Sequence, residues 1–118
     1  MKLPPPMTTT QQWEEAYNSS FEQPLLVFKH STSCSISGGA HEELSAWLED
    51  AERLSLRPVM VLVPDNRPLS NVISETLSLK HESPQLILVS DGKVSWHASH
   101  WRITYSTLDE HLGIHCEK

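Results

Sequence analysis

The chain has 118 residues, 38% of them apolar and 20% charged, which is typical of one globular domain with a single buried core. Its formal net charge of −6 would repel nucleic acids and anionic membrane surfaces, so neither is expected as a partner. The amino-terminal residues contain no apolar run typical of a signal peptide, and no stretch is long enough to cross a membrane. We therefore expect a cytoplasmic protein.

The first predicted element is a helix at residues 11–19, which follows an extended lead-in at residues 1–9. Residues 24–28 form a continuous apolar run, typical of a strand that is buried on both faces. Apolar residues then recur at helical spacing over residues 34–54. The pair Gly38-Gly39 inside this helix costs about 1 kcal/mol per glycine relative to alanine, which predicts a close approach or an adjustable backbone there.

The second half of the chain contains three further predicted strands. Residues 58–63 form another buried apolar run, and Pro68 fits the first turn of the helix that follows it. A third strand is predicted at residues 86–89 and a fourth at residues 93–99, joined by the two-residue hairpin turn Asp91-Gly92.

Thr104 is placed to cap a last helix, and Gly113 is placed to end it. Strands separated by helices are expected to be parallel neighbours, whereas the hairpin adds an antiparallel strand. This order predicts an α/β fold of the thioredoxin-like, three-layer α/β/α type. Its four-stranded mixed sheet would combine two parallel strands with a C-terminal antiparallel hairpin, with helices on both faces. We expect one such domain over residues 1–118.

The candidate reactive group is Cys34, which follows the first buried strand and begins the second helix. Unpaired N–H groups and the positive end of the helix dipole favour a thiolate at this position. Cys34 and Ser37 have the C-x-x-C spacing with serine in the second place, which predicts a monothiol mechanism resolved by an outside thiol. An inert, buried cysteine is the structural alternative. Hydroxyl groups that could donate to the sulfur flank it on both sides: Ser31, Thr32, Ser33 and Ser37.

In a thioredoxin-like fold, two further segments are expected near Cys34. Pro84 stands immediately before the third strand, and counting outward from the hairpin turn pairs it with Ser99. The fourth strand would then return to the same end of the sheet, where His100 could assist proton transfer or bind a polar substrate group. A hydrogen-bonded structural histidine and a trans proline that starts a strand are the alternatives.

The carboxyl terminus offers weaker candidates. Cys116 could be a mobile resolving thiol for Cys34 or an exposed bystander. His111, His115 and Cys116 resemble a loose ligand set, but a fourth ligand is not evident, so no metal site is predicted.

Four blocks carry a resemblance to a known family: FKHSTSCSIS (28–37), RPLSN (67–71), KHESPQ (80–85) and WHASHWRIT (96–104). In this order they resemble the monothiol bacilliredoxins (YtxJ-like proteins), a family of the thioredoxin-like superfamily. The resemblance implies removal of bacillithiol from proteins that carry it as a mixed disulfide, with Cys34 as the nucleophile and no bound cofactor. It also implies a cis Pro84 that faces the cysteine, with Ser83 offering its backbone to an extended substrate.

One departure concerns the residue after the cysteine, where the family usually has proline and this chain has Ser35. The expected co-substrate is bacillithiol or a similar low-molecular-weight thiol such as glutathione, and the expected partners are S-thiolated client proteins. A binding module that holds a metal or an iron–sulfur cluster through Cys34, or an adaptor without activity, are the competing hypotheses. The predicted substrate-binding residues are Thr32, Ser33, Ser35, Ser37, Ser83, Pro84 and His100.

Overall fold

A computed structural model describes residues 1–51 and 55–113 of the chain. The elements in chain order are α1 (Thr10–Ser19), β1 (Leu25–His30), α2 (Ser35–Asp50), β2 (Arg57–Leu62), α3 (Arg67–Leu77), β3 (Gln85–Ser90), β4 (Lys93–Ser99), a 3-10 turn (His100–Arg102) and α4 (Tyr105–Leu112). Within these residues, no helix has the length and apolar character needed to cross a bilayer.

The four strands form one mixed sheet in the order β2-β1-β3-β4. β1 and β2 are parallel, and β3 is antiparallel to both of its neighbours, β1 and β4. The predicted pair of parallel strands with a C-terminal antiparallel hairpin is therefore confirmed. The expectation that strands separated by a helix are parallel neighbours is wrong for β3, which pairs antiparallel with β1.

The direction of β3 follows from where its connection begins and ends. β2 finishes beside His30, and β3 starts beside Lys29, so the connection through α3 leaves and re-enters the sheet at the same end. A strand that starts where its predecessor finished must run in the opposite direction. This end of the sheet, where β1 and β2 finish and β3 begins, is called the Cys34 end below.

Alternate residues of β1 face two separate helical layers, as expected for a strand buried on both faces. Leu26 and Phe28 pack with α2 and α4, whereas Leu25 and Val27 pack with α1 and α3. The three-layer α/β/α arrangement is thus confirmed. The largest fully buried side chains of the helices are Trp13, Leu44, Trp47, Leu48, Ile73 and Leu108. Burial of each stabilises the fold by about 1.5–3 kcal/mol.

Local signals place the helix ends close to their predicted positions. Thr9 caps α1 in a capping box with Gln12, and Thr104 caps α4 by accepting a hydrogen bond from Thr107 N. Helix α2 ends at Asp50, earlier than predicted; residues 52–54 lie outside the described part of the chain. A Cβ added at Gly38 or Gly39 meets no atom within 4 Å. The predicted close approach of another segment to these glycines is therefore not found.

The β3–β4 hairpin contains a bulge that the sequence count missed. Asp91 and Gly92 both have positive φ, which is the geometry of the predicted two-residue turn. The register then shifts at the bulge, so that Ser99 pairs with Gln85 and not with Pro84. The predicted pairing is therefore wrong by one residue, because β4 carries one extra residue in this stretch.

Candidate active site

Cys34 is the N-cap residue of α2, at the Cys34 end of the sheet. Its backbone is extended, its N–H donates to Ser31 O at 3.1 Å, and its carbonyl accepts from Gly38 N at 3.0 Å. The cysteine is partly exposed and is not in a disulfide, and its side chain makes no capping hydrogen bond to the helix. The sulfur is therefore attached where the first N–H groups of α2 lack helical partners.

The hydroxyl groups around Cys34 do not all have the expected role. Thr32, Ser33 and Ser35 are exposed and surround the cysteine in sequence. Ser37 is completely buried, and its Oγ accepts from Ser31 N at 2.9 Å and lies 2.7 Å from His30 Nδ1. The expected donation from Ser37 to the sulfur is thus replaced by bonds that fix the loop in front of Cys34, and direct contact between Ser37 and a substrate is excluded by burial.

His30 completes this buried cluster, and the sequence analysis did not identify it. Burial, and to a smaller extent the charge of His41, holds the pKa of His30 below its usual value. The two rings are stacked with their centroids 4.9 Å apart. The Ser37 hydroxyl and the His30 ring share one hydrogen bond inside the cluster. The position of His30, a polar residue at the end of the apolar strand β1, was the sequence signal that could have identified it.

Ser83 and Pro84 lie at the same end of the sheet, immediately before β3. The Ser83–Pro84 peptide bond is cis, as the family resemblance implied, and Pro84 is buried. The Pro84 carbonyl accepts from the backbone N–H of His100 at 3.1 Å. The start of β3 and the end of β4 therefore remain joined here, despite the shifted register.

His100 lies beside the first turn of α2. Its φ of 54° is in the left-handed region, which is unusual for a residue other than glycine, and its side chain is exposed. A cleft of about 170 Å³ is bounded by Ser35 and Ile36 on one side and by His100 and Trp101 on the other. Trp101 is 75% exposed, which is rare for so large an apolar side chain. The cleft therefore adjoins the residues that directly follow Cys34.

A second buried polar cluster lies on the opposite face of β1, and it was also missed. Lys29 is completely buried, and its ammonium donates to Ser70 O at 3.1 Å and to Ser74 Oγ at 2.6 Å. It also lies 3.2 Å from Nδ1 of His81. Burial, followed by the charge of Arg67, lowers the pKa of Lys29 to about 8.

The same cluster supports the segment that leads to Ser83. Burial, and next the charge of Lys29, holds the pKa of His81 below its usual value. The Gln85 side chain donates to Lys80 O at 3.0 Å and accepts from Glu82 N at 3.4 Å. Lys29 and Gln85, neighbours across the β1–β3 pair, thus hold residues 80–82 from two sides. A lysine inside an apolar strand was the signal for this cluster.

The candidates at the carboxyl terminus are only partly described. His111 stacks on Trp96 with the ring centroids 5.2 Å apart. His115 and Cys116 lie outside the described residues. In residues 1–51 and 55–113, no three histidine, cysteine, aspartate or glutamate side chains are grouped so as to hold a metal ion.

Comparison with protein families identifies the chain. The family model described as "Monothiol bacilliredoxin BrxC" matches residues 5–108. This chain belongs to the monothiol bacilliredoxin family. Family membership and the thioredoxin fold together assign this bacilliredoxin to the general class of thiol–disulfide oxidoreductases.

Solved structures similar to this bacilliredoxin have the same fold. One, described as a candidate oxidoreductase with a thioredoxin fold, matches with a TM-score of 0.77 and 27% identity over 88% of each chain. Thioredoxin from Fasciola hepatica matches with a TM-score of 0.71 and 17% identity, over 98% of this chain and 99% of that one. Thioredoxin NaTrxh from Nicotiana alata matches with a TM-score of 0.75 and 14% identity, over 98% and 94%.

Proposed function

We propose that this bacilliredoxin removes bacillithiol, or a similar low-molecular-weight thiol, from S-thiolated client proteins in the cytoplasm, with Cys34 as the nucleophile. The observation that carries the proposal is a partly exposed cysteine at the N-cap of α2, with a buried serine three residues later. The backbone N–H groups that begin α2 lack helical partners and lie next to this residue. Because Ser37 occupies the second position of the C-x-x-C spacing, the first turn holds no resolving thiol.

The reaction is an exchange of one disulfide for another. The Cys34 thiolate attacks the bacillithiol sulfur of the client mixed disulfide, the original S–S bond breaks, and the client sulfur leaves as a thiolate that takes a proton from water. A disulfide between Cys34 and bacillithiol remains. A second thiol, as its thiolate, then attacks the bacillithiol sulfur and returns the bonding electron pair to Cys34.

The surroundings of Cys34 supply contacts for the substrate. Thr32, Ser33 and Ser35 offer exposed polar groups close to the nucleophile in sequence. His100, across the cleft from Ser35, could bind a polar group of the thiol or move a proton. The backbone of Ser83 and the adjoining Pro84 would position an extended client segment. Ser37 acts through the loop and not by touching substrate, because it is buried.

Substitution of Cys34 tests this proposal directly. We expect the wild-type protein, supplied with free bacillithiol as the second thiol, to restore the free thiol of a bacillithiolated model client. The change is followed by the intact mass of the client. Cys34→Ser should abolish the reaction because oxygen cannot form the mixed disulfide, whereas Cys116→Ser should retain removal of bacillithiol. Equal activity of Cys34→Ser and wild type would contradict the proposal.

A further inference from the structure

The cleft beside the first turn of α2 extends along that helix from Ser35 to Glu43. Ser35, Gly39 and Glu43 follow one another at intervals of four residues, so they share one face of α2. The two ends of this row are about 12 Å apart along the helix axis. A Cβ added at Gly39 meets no atom within 4 Å, so the middle of the row faces open space. The cleft is therefore elongated, and one end of it adjoins Cys34.

Glu43 gives the far end of the cleft a negative charge. Its Oε1 accepts a hydrogen bond from Tyr105 N at 3.1 Å, which holds the carboxylate at the start of α4. A carboxylate can accept several hydrogen bonds, so this contact leaves capacity for another donor. Among the described residues that line the cleft, Glu43 is the one carboxylate, His100 is the other ionisable group, and no lysine or arginine occurs. A cationic occupant is therefore favoured over an anionic one.

The walls of the cleft suit a long side chain that ends in a planar charged group. Ile36 supplies apolar surface on the α2 side, and the exposed Trp101 stands at the other side. An arginine can lay its alkyl stem on such a surface, stack its guanidinium on an indole and bond to a carboxylate. Sites that enclose whole small molecules have volumes of about 300–1,000 Å³, whereas this cleft has about 170 Å³. It therefore fits a single side chain.

We propose that this cleft binds an arginine side chain of the client protein, two residues away from the S-thiolated cysteine. In an extended segment, residues two apart point to the same side, so the client cysteine can meet Cys34 while the arginine enters the cleft. Bacillithiol and glutathione are anionic, so Glu43 disfavours both as occupants. The formal net charge of −6 also favours a basic segment. The inference rests on the proposed function, because it takes S-thiolated proteins as substrates of Cys34.

The test compares peptides that differ only in one charge. Each peptide has one cysteine, thiolated with the uncharged 2-mercaptoethanol, and carries arginine or its neutral analogue citrulline two residues before or after that cysteine. An excess of the Cys116→Ser protein, whose one thiol is Cys34, is added, and chromatography follows consumption of the mixed disulfide. Cys34 takes one half of the disulfide, and the other half leaves as a thiol. We expect the arginine peptide to react about fivefold faster than the citrulline peptide in one of the two positions.

Variants of α2 locate this preference in the cleft. Glu43→Gln keeps an oxygen that can accept from Tyr105 N but removes the charge, so the arginine and citrulline peptides should react equally fast. Gly39→Leu should fill the cleft and also abolish the preference, whereas Gly38→Leu, outside the lining, should retain it. Both leucine variants replace a glycine of the same helix, so their effects on helix propensity are matched.

Equal rates for the arginine and citrulline peptides in the Cys116→Ser protein would overturn the inference. A preference for arginine that persists in Glu43→Gln or in Gly39→Leu would overturn it as well, because the preference would then arise outside the cleft. The measurement needs no bacillithiol. A preference for arginine in a protein that removes no bacillithiol from a client would therefore contradict the proposed function alone.

Discussion

His30 and Ser37 fix the loop in front of Cys34. They bond to each other and to the backbone of Ser31 and not to the sulfur. Ser37 Oγ joins Ser31 N to His30 Nδ1, and both Ser37 and His30 are buried. The spacing of Cys34 and Ser37 correctly drew attention to this serine. Its partner could not be found from the sequence, because the pairing depends on which face of β1 His30 occupies relative to α2.

Ser37→Ala tests whether the two hydrogen bonds of Ser37 Oγ stabilise the fold. The substitution leaves the N–H of Ser31 and Nδ1 of His30 without their observed partner, so we expect the free energy of unfolding to fall by about 1–3 kcal/mol. Urea denaturation at neutral pH measures the change. Ser33→Ala is the matched control, because its exposed hydroxyl should change stability by no more than about 0.5 kcal/mol. Equal free energies of unfolding for the two variants would show that the hydrogen bonds of Ser37 do not stabilise the fold.

Burial of Lys29 makes the free energy of unfolding depend on pH in the alkaline range. Its pKa is about 8 in the folded chain against a usual value of 10.5. Between these pH values the unfolded chain retains a proton that the folded chain has released, so raising the pH favours folding. We expect the contribution of Lys29 to the free energy of unfolding to rise over this range by up to about 3 kcal/mol.

Urea denaturation of wild type and Lys29→Met at several pH values from about 8 to 10 isolates this effect. Other groups that titrate in this range are common to both proteins, so the difference between the two curves belongs to Lys29. We expect wild type to gain stability relative to Lys29→Met as the pH rises. Parallel curves would show that the buried ammonium is not perturbed in the folded state.

At the scale of elements, periodicity and end signals recovered the four α-helices and four strands of the described residues in their order, but not the 3-10 turn at His100–Arg102. What they missed is informative: the bulge between Trp96 and Val94, and the direction of β3. A bulge depends on cross-strand packing, and the direction of β3 depends on the path of α3, so neither has a local signature. The lysine inside an apolar strand was a local signal for the Lys29 cluster, but its partners come from α3 and the segment before β3 and have no such signal.

The glycines of α2 and of the hairpin should respond oppositely to alanine. A Cβ at Gly38 meets nothing within 4 Å, so Gly38→Ala should raise the free energy of unfolding by about 1 kcal/mol. At Gly92, φ is +76° and a Cβ would lie 2.6 Å from Phe21 Cζ, so Gly92→Ala should be destabilising. Thermal denaturation measures both. Loss of stability in Gly38→Ala would indicate a backbone requirement that the observed packing does not show.

At the scale of the whole molecule, the sheet brings three separate chain segments to one end. Cys34, Ser83-Pro84 and His100 come together there because β1 finishes, β3 begins and β4 finishes at that end. The likeness to thioredoxin-like proteins predicted that Pro84 faces Cys34, and the hairpin geometry predicted that the end of β4 returns to the same end. It could not predict the polar clusters beneath the loops, which depend on contacts between distant segments.

The most direct test of the central assignment is a single turnover without a second thiol. The Cys116→Ser protein is mixed with an equal amount of bacillithiolated client, and peptide mass spectrometry locates the bacillithiol. We expect it to move from the client to Cys34 and to remain there, because the first turn of α2 has no resolving thiol. Bacillithiol that stays on the client, or a client released without an adduct on Cys34, would contradict the assignment of Cys34 as the nucleophile.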